Sequence, residues 1–297
     1  MVNFLAIGYG VCDDPSRKDA ILDNMEELMQ KEKLFIWPSC FFPYEDSVGH
    51  LRVNYPYPNY ENGDLFLAWA ELGTRCYAEK NPGIALKYIR NVINQYELDG
   101  LGYQRYTRLK QTGAGSDILS NNIMAIVGLY RNIYGVRPQY NRLYLEPHLT
   151  TEINGTQLKY WLRNQNYVID LSKGKYSISI DNFSVSNKHP FAVNYNGNEL
   201  EYFNGNNNHF SLKISSKQPC SVDILSWGEN LMSWKETGKN SKNNIYHEVH
   251  NLKADEIYEF SINNKPIKKY TASSTGIIRF DCPINKNELR IQIVRKQ

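Results

Sequence analysis

The chain is poor in the features that mark several common protein classes. Cysteine is scarce: Cys12, Cys40, Cys76, Cys220 and Cys282 make an odd number, with no close pair and no CxxC. That argues against a disulfide framework or a thiolate zinc site and predicts five ordinary thiols. Charge of one sign is lacking too. The 34 basic and 31 acidic residues leave a net charge of +3, too little excess for the electrostatic footprint of a nucleic-acid binder. Long apolar runs are missing, so no segment approaches the length of a membrane span. With 41% hydrophobic residues and a mean hydropathy of -0.55, an integral membrane protein and a disordered chain are both disfavoured. Gly113-x-Gly115 lacks the P-loop lysine and the full Rossmann glycine pattern, which removes nucleotide binding. No nucleophile elbow or histidine-rich cluster points to a serine hydrolase or a metalloenzyme. No cofactor is expected. The opening MVNFLAIGYG has no basic n-region and no small-residue cleavage site, so it does not read as a signal peptide. As written, the chain is expected in the cytoplasm. An export signal upstream would move it to the periplasm or outside the cell.

Aromatic side chains are abundant: 22 Tyr, 11 Phe and 5 Trp. Flat apolar rings with a polar handle suit sugar faces, and they also suit β-sandwich cores.

A length of 297 residues bounds the chain at about two domains, or three small ones. Apolar residues recur at helical spacing before residue 140. Alternation and turn residues dominate after it. Asp14-Pro15 reads as a helix start, followed by the stripe Ile21, Leu22, Met25, Leu28 and Met29. A second helix is expected over 63–79, with Leu65, Trp69, Leu72 and Cys76 on one face. A third begins at Asn81-Pro82 and ends at Gly100. A fourth begins near Ser116, with Leu119, Ile123, Ile126, Val127, Tyr130 and Tyr134 as its buried stripe. From Leu143 the pattern is β. YVIDL (167–171) and YSISI (176–180) flank a turn at Gly174, and ELRIQIV (288–294) alternates Leu289, Ile291 and Ile293. The expected division is a helical domain 1–140, a β-sandwich domain 141–225 and a small C-terminal β domain 226–297.

Residues 33–62 show little regular pattern, and loops of that length are often functional. This one holds Trp37, Tyr44, Glu45, Tyr60, Glu61 and Asn62, and runs into Asp64. Rings pack on the C–H faces of a sugar, carboxylates and amides hold its hydroxyls, and a carboxylate near the anomeric carbon can deprotonate a water. Glu61 and Asp64 stand three apart at an expected helix start, where they could share one face. Helix-dipole and capping preferences alone also place acids there. Asp117, just after Gly113-Ala114-Gly115-Ser116, reads as a ligand or a cap.

The runs YENGDLFLAWAELGTRCYAEKNPGIALKYI (60–89) and SDILSNNIMAIVGLYRNIYGVRPQYNRLYLEPHL (116–149) resemble the late barrel helices of the six-hairpin glycosidases. That superfamily includes α-L-rhamnosidase-like, amylo-glucosidase-like and cellobiose-phosphorylase-like proteins. The resemblance spans about 1–225 and is concentrated in 55–149. It implies an α+β multidomain chain: a partial (α/α)6 toroid made of the C-terminal helices only, followed by antiparallel β-sandwich modules. It implies the C-terminal part of a glycoside hydrolase-like protein that inverts at an oligo- or polysaccharide. Glu61 is then the catalytic base and Asp64 its alternate. Trp37, Tyr44, Glu45, Tyr60, Asn62 and Asp117 contact sugar. The family's general acid would precede Met1, so the chain alone could be inactive, and the N-terminal part of the barrel is an implied partner beside carbohydrate. No nucleic-acid, membrane or metal partner is implied. A non-catalytic carbohydrate-binding or accessory protein, and an inert gene fragment, remain as alternatives.

Overall fold

The computed structural model describes residues 1–43, 55–116, 120–205, 207–238, 244–283 and 287–296. The chain is α+β and divides into two compact units, Met1–Tyr134 and Gly135–Gln297.

Unit 1 is built from helices whose ends are set locally. Helix α1 spans Val2–Gly8 and α2 spans Pro15–Glu32. Asp14 caps α2, its side chain accepting from the backbone N–H of Ser16 and Arg17, with Pro15 at the first position. Helix α3 covers Ala70–Lys80 and α4 covers Pro82–Asp99. Asn81 caps α4 through the Gly83 N–H, and Gly100 ends it at φ 67, where a residue without Cβ is unstrained. A short two-stranded ladder joins β1 (Arg105–Tyr106) to β2 (Gly113–Ala114). Helix α5 is only Met124–Gly128, entered through a 3-10 turn at Ser120–Ile123 and continued by a π turn at Leu129–Ile133.

Two expectations for the helices fail, each for a packing reason. The second helix does not start at 63. Leu65 is extended, bridging Pro38 on one side and Tyr106 on the other, and Leu67–Trp69 is a 3-10 turn before α3. Trp69, expected on the buried face, is 38% exposed. The fourth helix buries a different face from the predicted stripe. Ala125, Gly128, Asn132 and Ile133 are buried, while Ile123 and Tyr130 are exposed. Small residues win because α5 packs tightly on α3. A Cβ on Gly128 would sit 2.2 Å from the Thr74 hydroxyl, and Asn132 donates to the Glu71 carbonyl at 3.2 Å.

Helix α3 is the centre of this packing, with Ala70 to Thr74 and Cys76 to Ala78 buried. Trp37 lies against it, 1% exposed. Its ring meets Phe4 edge-on at 5.3 Å, stacks on Tyr77 at 5.7 Å and touches Tyr88 at 4.5 Å. Gly73 permits this, since any Cβ there would fall 2.3 Å from the indole.

Unit 2 is a run of strands. It opens with β3 (Val136–Gln139), β4 (Arg142–Leu145), β5 (Thr156–Leu162), β6 (Gln165–Ser172) and β7 (Lys175–Ile180). Next come β8 (Phe183–Asn187), β9 (Phe191–Asn196), β10 (Glu199–Asn204), β11 (Asn207–Ser215) and β12 (Cys220–Trp227). The last are β13 (Leu231–Gly238), β14 (Asn244–His250), β15 (Ile257–Ile262), β16 (Lys265–Thr271), β17 (Ile278–Pro283) and β18 (Leu289–Arg295). Among the described residues they form a sheet ordered β17-β14-β11-β10-β9-β4-β3 and another ordered β16-β15-β18-β13-β12-β8-β7-β6-β5. Only β8 and β12 pair in parallel there. The inner faces meet through Tyr202 on Trp227 at 5.1 Å and Phe260 on Phe280 at 4.6 Å.

The expected break at 225/226 falls inside β12, and strands from both sides of it share both sheets. Residues 141–225 and 226–297 are therefore not separate bodies. The helical unit ends at Tyr134 rather than 140, because β3 already pairs with β4, Val136 opposite Leu145.

Candidate functional site

The segment after the long loop is held by two arginines that sequence reasoning did not select. Arg108 is buried. Its Nε and Nη2 grip both carboxylate oxygens of Glu32 at 2.7 and 2.6 Å, and its Nη1 donates to the Cys40 carbonyl at 2.6 Å. The fork geometry of a guanidinium suits this two-point hold. The same group lies over the rings of Phe41 and Tyr57 at 5.6 and 5.3 Å. Arg105 donates from Nε to Asp64 Oδ2 at 2.8 Å and lies 4.8 Å from the centre of the Tyr60 ring.

Asp64 is a structural hub. It is 2% exposed. Its Oδ2 also accepts from the Tyr60 N–H at 2.8 Å, and its Oδ1 accepts from the Arg108 N–H at 3.0 Å. Both oxygens are thus committed, which removes the freedom that a water-activating base requires. Glu61 and Asp64 do not share a helical face. Glu61 sits in a 3-10 turn, Tyr60–Asn62, and is exposed, while Asp64, just before the Leu65 bridge, is buried. Gly63 at φ 143 makes the switch, and a Cβ there would lie 2.9 Å from the Pro58 backbone.

What reaches solvent is an aromatic and acidic surface. Tyr55, 51% exposed, meets Tyr60 at 4.9 Å, and Tyr60 meets Phe66 at 5.6 Å. Gln104 donates to the Tyr60 hydroxyl at 3.4 Å. Glu61 is exposed and its carboxylate bonds to none of the described residues. Half-buried Asn62 donates to the Tyr55 carbonyl at 3.2 Å and accepts from the Cys40 thiol. Burial pushes that thiol up, against the pull of Arg108, which disfavours the thiolate form a nucleophile needs.

Tyr60, Glu61 and Asn62 are therefore brought together. Trp37 is a correction: it belongs to the core of unit 1 and cannot stack on a ligand. Its indole N–H is buried with no hydrogen-bond partner among the described residues. Tyr44, Glu45 and Asp117 lie outside the described residues. The residues that were missed are Arg105, Arg108, Glu32, Gln104, Tyr55 and Phe66. The available signal was the basic run after Gly102, Gln104-Arg105-Tyr106-Thr107-Arg108, facing the acids at 61 and 64.

The described residues hold no group of three or more His, Cys, Asp or Glu suited to a metal, and the five cysteines are unpaired. No described helix is long and apolar enough to cross a membrane. No family model matches the chain, and no curated protein sequence matches it.

Proposed function

We propose that the protein acts on carbohydrate as a glycoside hydrolase-type chain. Unit 1 contributes part of an (α/α)6 toroid, the Tyr55–Tyr60–Asn62 surface meets the sugar, and Glu61 is the general base of an inverting reaction. The observation that carries this reading is the exposed Glu61 carboxylate next in sequence to Tyr60, whose ring meets exposed Tyr55, on a scaffold fixed by Arg105–Asp64 and Arg108–Glu32. Rings bind the C–H face of a pyranose, and a solvent-facing carboxylate near them can draw a proton from water. Release of reducing sugar from an oligo- and polysaccharide panel tests it. Glu61→Gln should lower the rate by about a hundredfold or more. An unchanged rate refutes the assignment of the base.

One observation favours a second reading, binding without turnover. Asp64 and Glu32 are both held by arginine, so Glu61 is the one uncommitted carboxylate of this surface among the described residues. Glycoside hydrolysis uses two carboxylates. The binding reading predicts sugar affinity that Tyr60→Ala weakens, with no product formed.

A further inference from the structure

Unit 2 has a concavity of its own that the proposed function does not use. It is a pocket of about 340 Å³ along the β3–β4 edge. Arg137 on β3 and Glu146, just past the end of β4, form an ion pair in its wall. Tyr144, directly across the ladder from Arg137, also lines it, as does Tyr140 from the turn between the two strands. The Tyr140 carbonyl is gripped by Arg163, its φ is 55, and its side chain is 82% exposed. Gly205 also lines the pocket. Its N–H donates to the Pro190 carbonyl at 2.9 Å, and a Cβ there would meet that carbonyl group at 2.6 Å.

The chemistry of the lining narrows the occupant. One cation and one anion cancel, so the pocket favours neither an anionic nor a cationic ligand. Paired as they are, they offer guanidinium donors and carboxylate acceptors side by side, the complement of neighbouring hydroxyls on a ring. Tyr140 and Tyr144 offer flat faces with hydroxyl edges, the Tyr144 hydroxyl also accepting from Arg142 at 3.5 Å. The volume stands at the low end of the 300–1,000 Å³ or so usual for ligand pockets, which suits one ring rather than a nucleotide or an acyl chain. We infer that this pocket is a second carbohydrate subsite, taking a single neutral sugar unit. The inference rests on the reading that the protein meets carbohydrate, and it does not require Glu61 or catalysis.

Isothermal titration of the full chain with methyl glycosides of glucose, galactose, mannose and rhamnose tests it, with glucuronate as the charged control. At least one neutral glycoside should bind, and glucuronate should bind more weakly. Glu146→Gln and Tyr144→Ala should each weaken binding by about tenfold, from loss of a charge-assisted hydrogen bond or of a ring contact. Tyr140→Ala, in an exposed turn that unfolding cannot confound, should weaken it as well. The titrations are repeated in the Tyr60→Ala background, which removes the unit 1 surface, and binding that persists there and is weakened by Tyr140→Ala and Glu146→Gln belongs to the pocket. The inference is overturned if no neutral glycoside binds, if glucuronate binds tighter, or if binding is insensitive to Tyr140→Ala and Glu146→Gln. Sensitivity to Tyr60→Ala alone would overturn it while leaving the unit 1 site standing.

Discussion

Replacing Asp64 by alanine tests the scaffold beneath the candidate site most directly. The substitution strands three donors together: the Tyr60 N–H, the Arg108 N–H and the Arg105 Nε–H, all now on one carboxylate at 2.8 to 3.0 Å. A buried backbone donor left unsatisfied costs about 1–2 kcal/mol. The Arg105 side chain keeps 21% exposure, so water recovers much of its loss and about 1 kcal/mol remains. The sum is about 3–5 kcal/mol, the range for removing one partner of a buried ion pair. Asp64→Asn should recover less than half of it. An amide can keep one acceptor for the Arg108 N–H, but its NH2 would then face two donors. Because the loss is local to unit 1, amide hydrogen exchange is the right assay. Peptides covering 60–66 and 104–108 should exchange about a hundredfold faster or more in Asp64→Ala, while peptides from β5 to β7 should not change. A change below about threefold in the first set would refute the hub.

Gly128→Val should destabilise unit 1 by about 1–3 kcal/mol through overpacking against Thr74, seen as a lower thermal midpoint; an unchanged midpoint would contradict the close α3–α5 approach. In unit 2, burial pushes the Glu236 carboxyl up, but attraction to His247 and hydrogen bonds from His247 and Trp234 outweigh it, so its pKa lies below the ordinary 4.5. The pair therefore stabilises the fold above pH 4.5 and loses its contribution as pH falls through the lower folded value. Urea unfolding of the wild type should weaken in that acid range more steeply than that of Glu236→Gln, and parallel profiles would sink this assignment. Cys40, pushed up by burial, should alkylate at neutral pH more slowly than a free thiol peptide; an equal rate would count against it.

Features set by neighbours in sequence were legible, and those set by distant partners were not. Asp14-Pro15 and Asn81-Pro82 announce α2 and α4 because a cap and its donors lie within three residues. The β6–β7 hairpin is legible because alternation flanks Gly174, whose φ is 89. The stretch 63–66 misleads because its apolar spacing matches a helix, while bridges to Pro38 and Tyr106 hold it extended. Asp64 reads as a helix-start acid since its guanidinium partner is 41 residues away. Trp37 reads as a sugar platform since the residues that bury it, Phe4, Tyr77 and Tyr88, are spread across three helices. The break expected at 225 fails because β12 pairs with β13 and β11 with β14, which ties residues on both sides of it into the same sheets. Strands such as β13 and β14 bury Glu236 and His247 against each other, so polar letters stand where a core pattern would show apolar ones.

The carboxylates around the candidate site divide by what holds them, and that division bears on the chemistry. Glu32 and Asp64 each face an arginine from the segment after α4, and each is more useful to the fold than to a substrate. The oxygens of both carboxylates already accept from arginine or backbone donors, which leaves them poorly placed to hold a catalytic water. Glu61 differs in carrying no such partner among the described residues, so its oxygens stay open to a water or a sugar hydroxyl. An inverting reaction places its two carboxylates about 6.5–9.5 Å apart with a water between one of them and the sugar. If turnover is found, the acid must come from a group other than Glu32 or Asp64. Asp64→Asn would then lower the rate only through the displaced Tyr60 surface, with the acidic limb of the pH–rate profile unmoved. A shift of that limb would instead make Asp64 a proton-transfer group and reverse the roles assigned to the two acids.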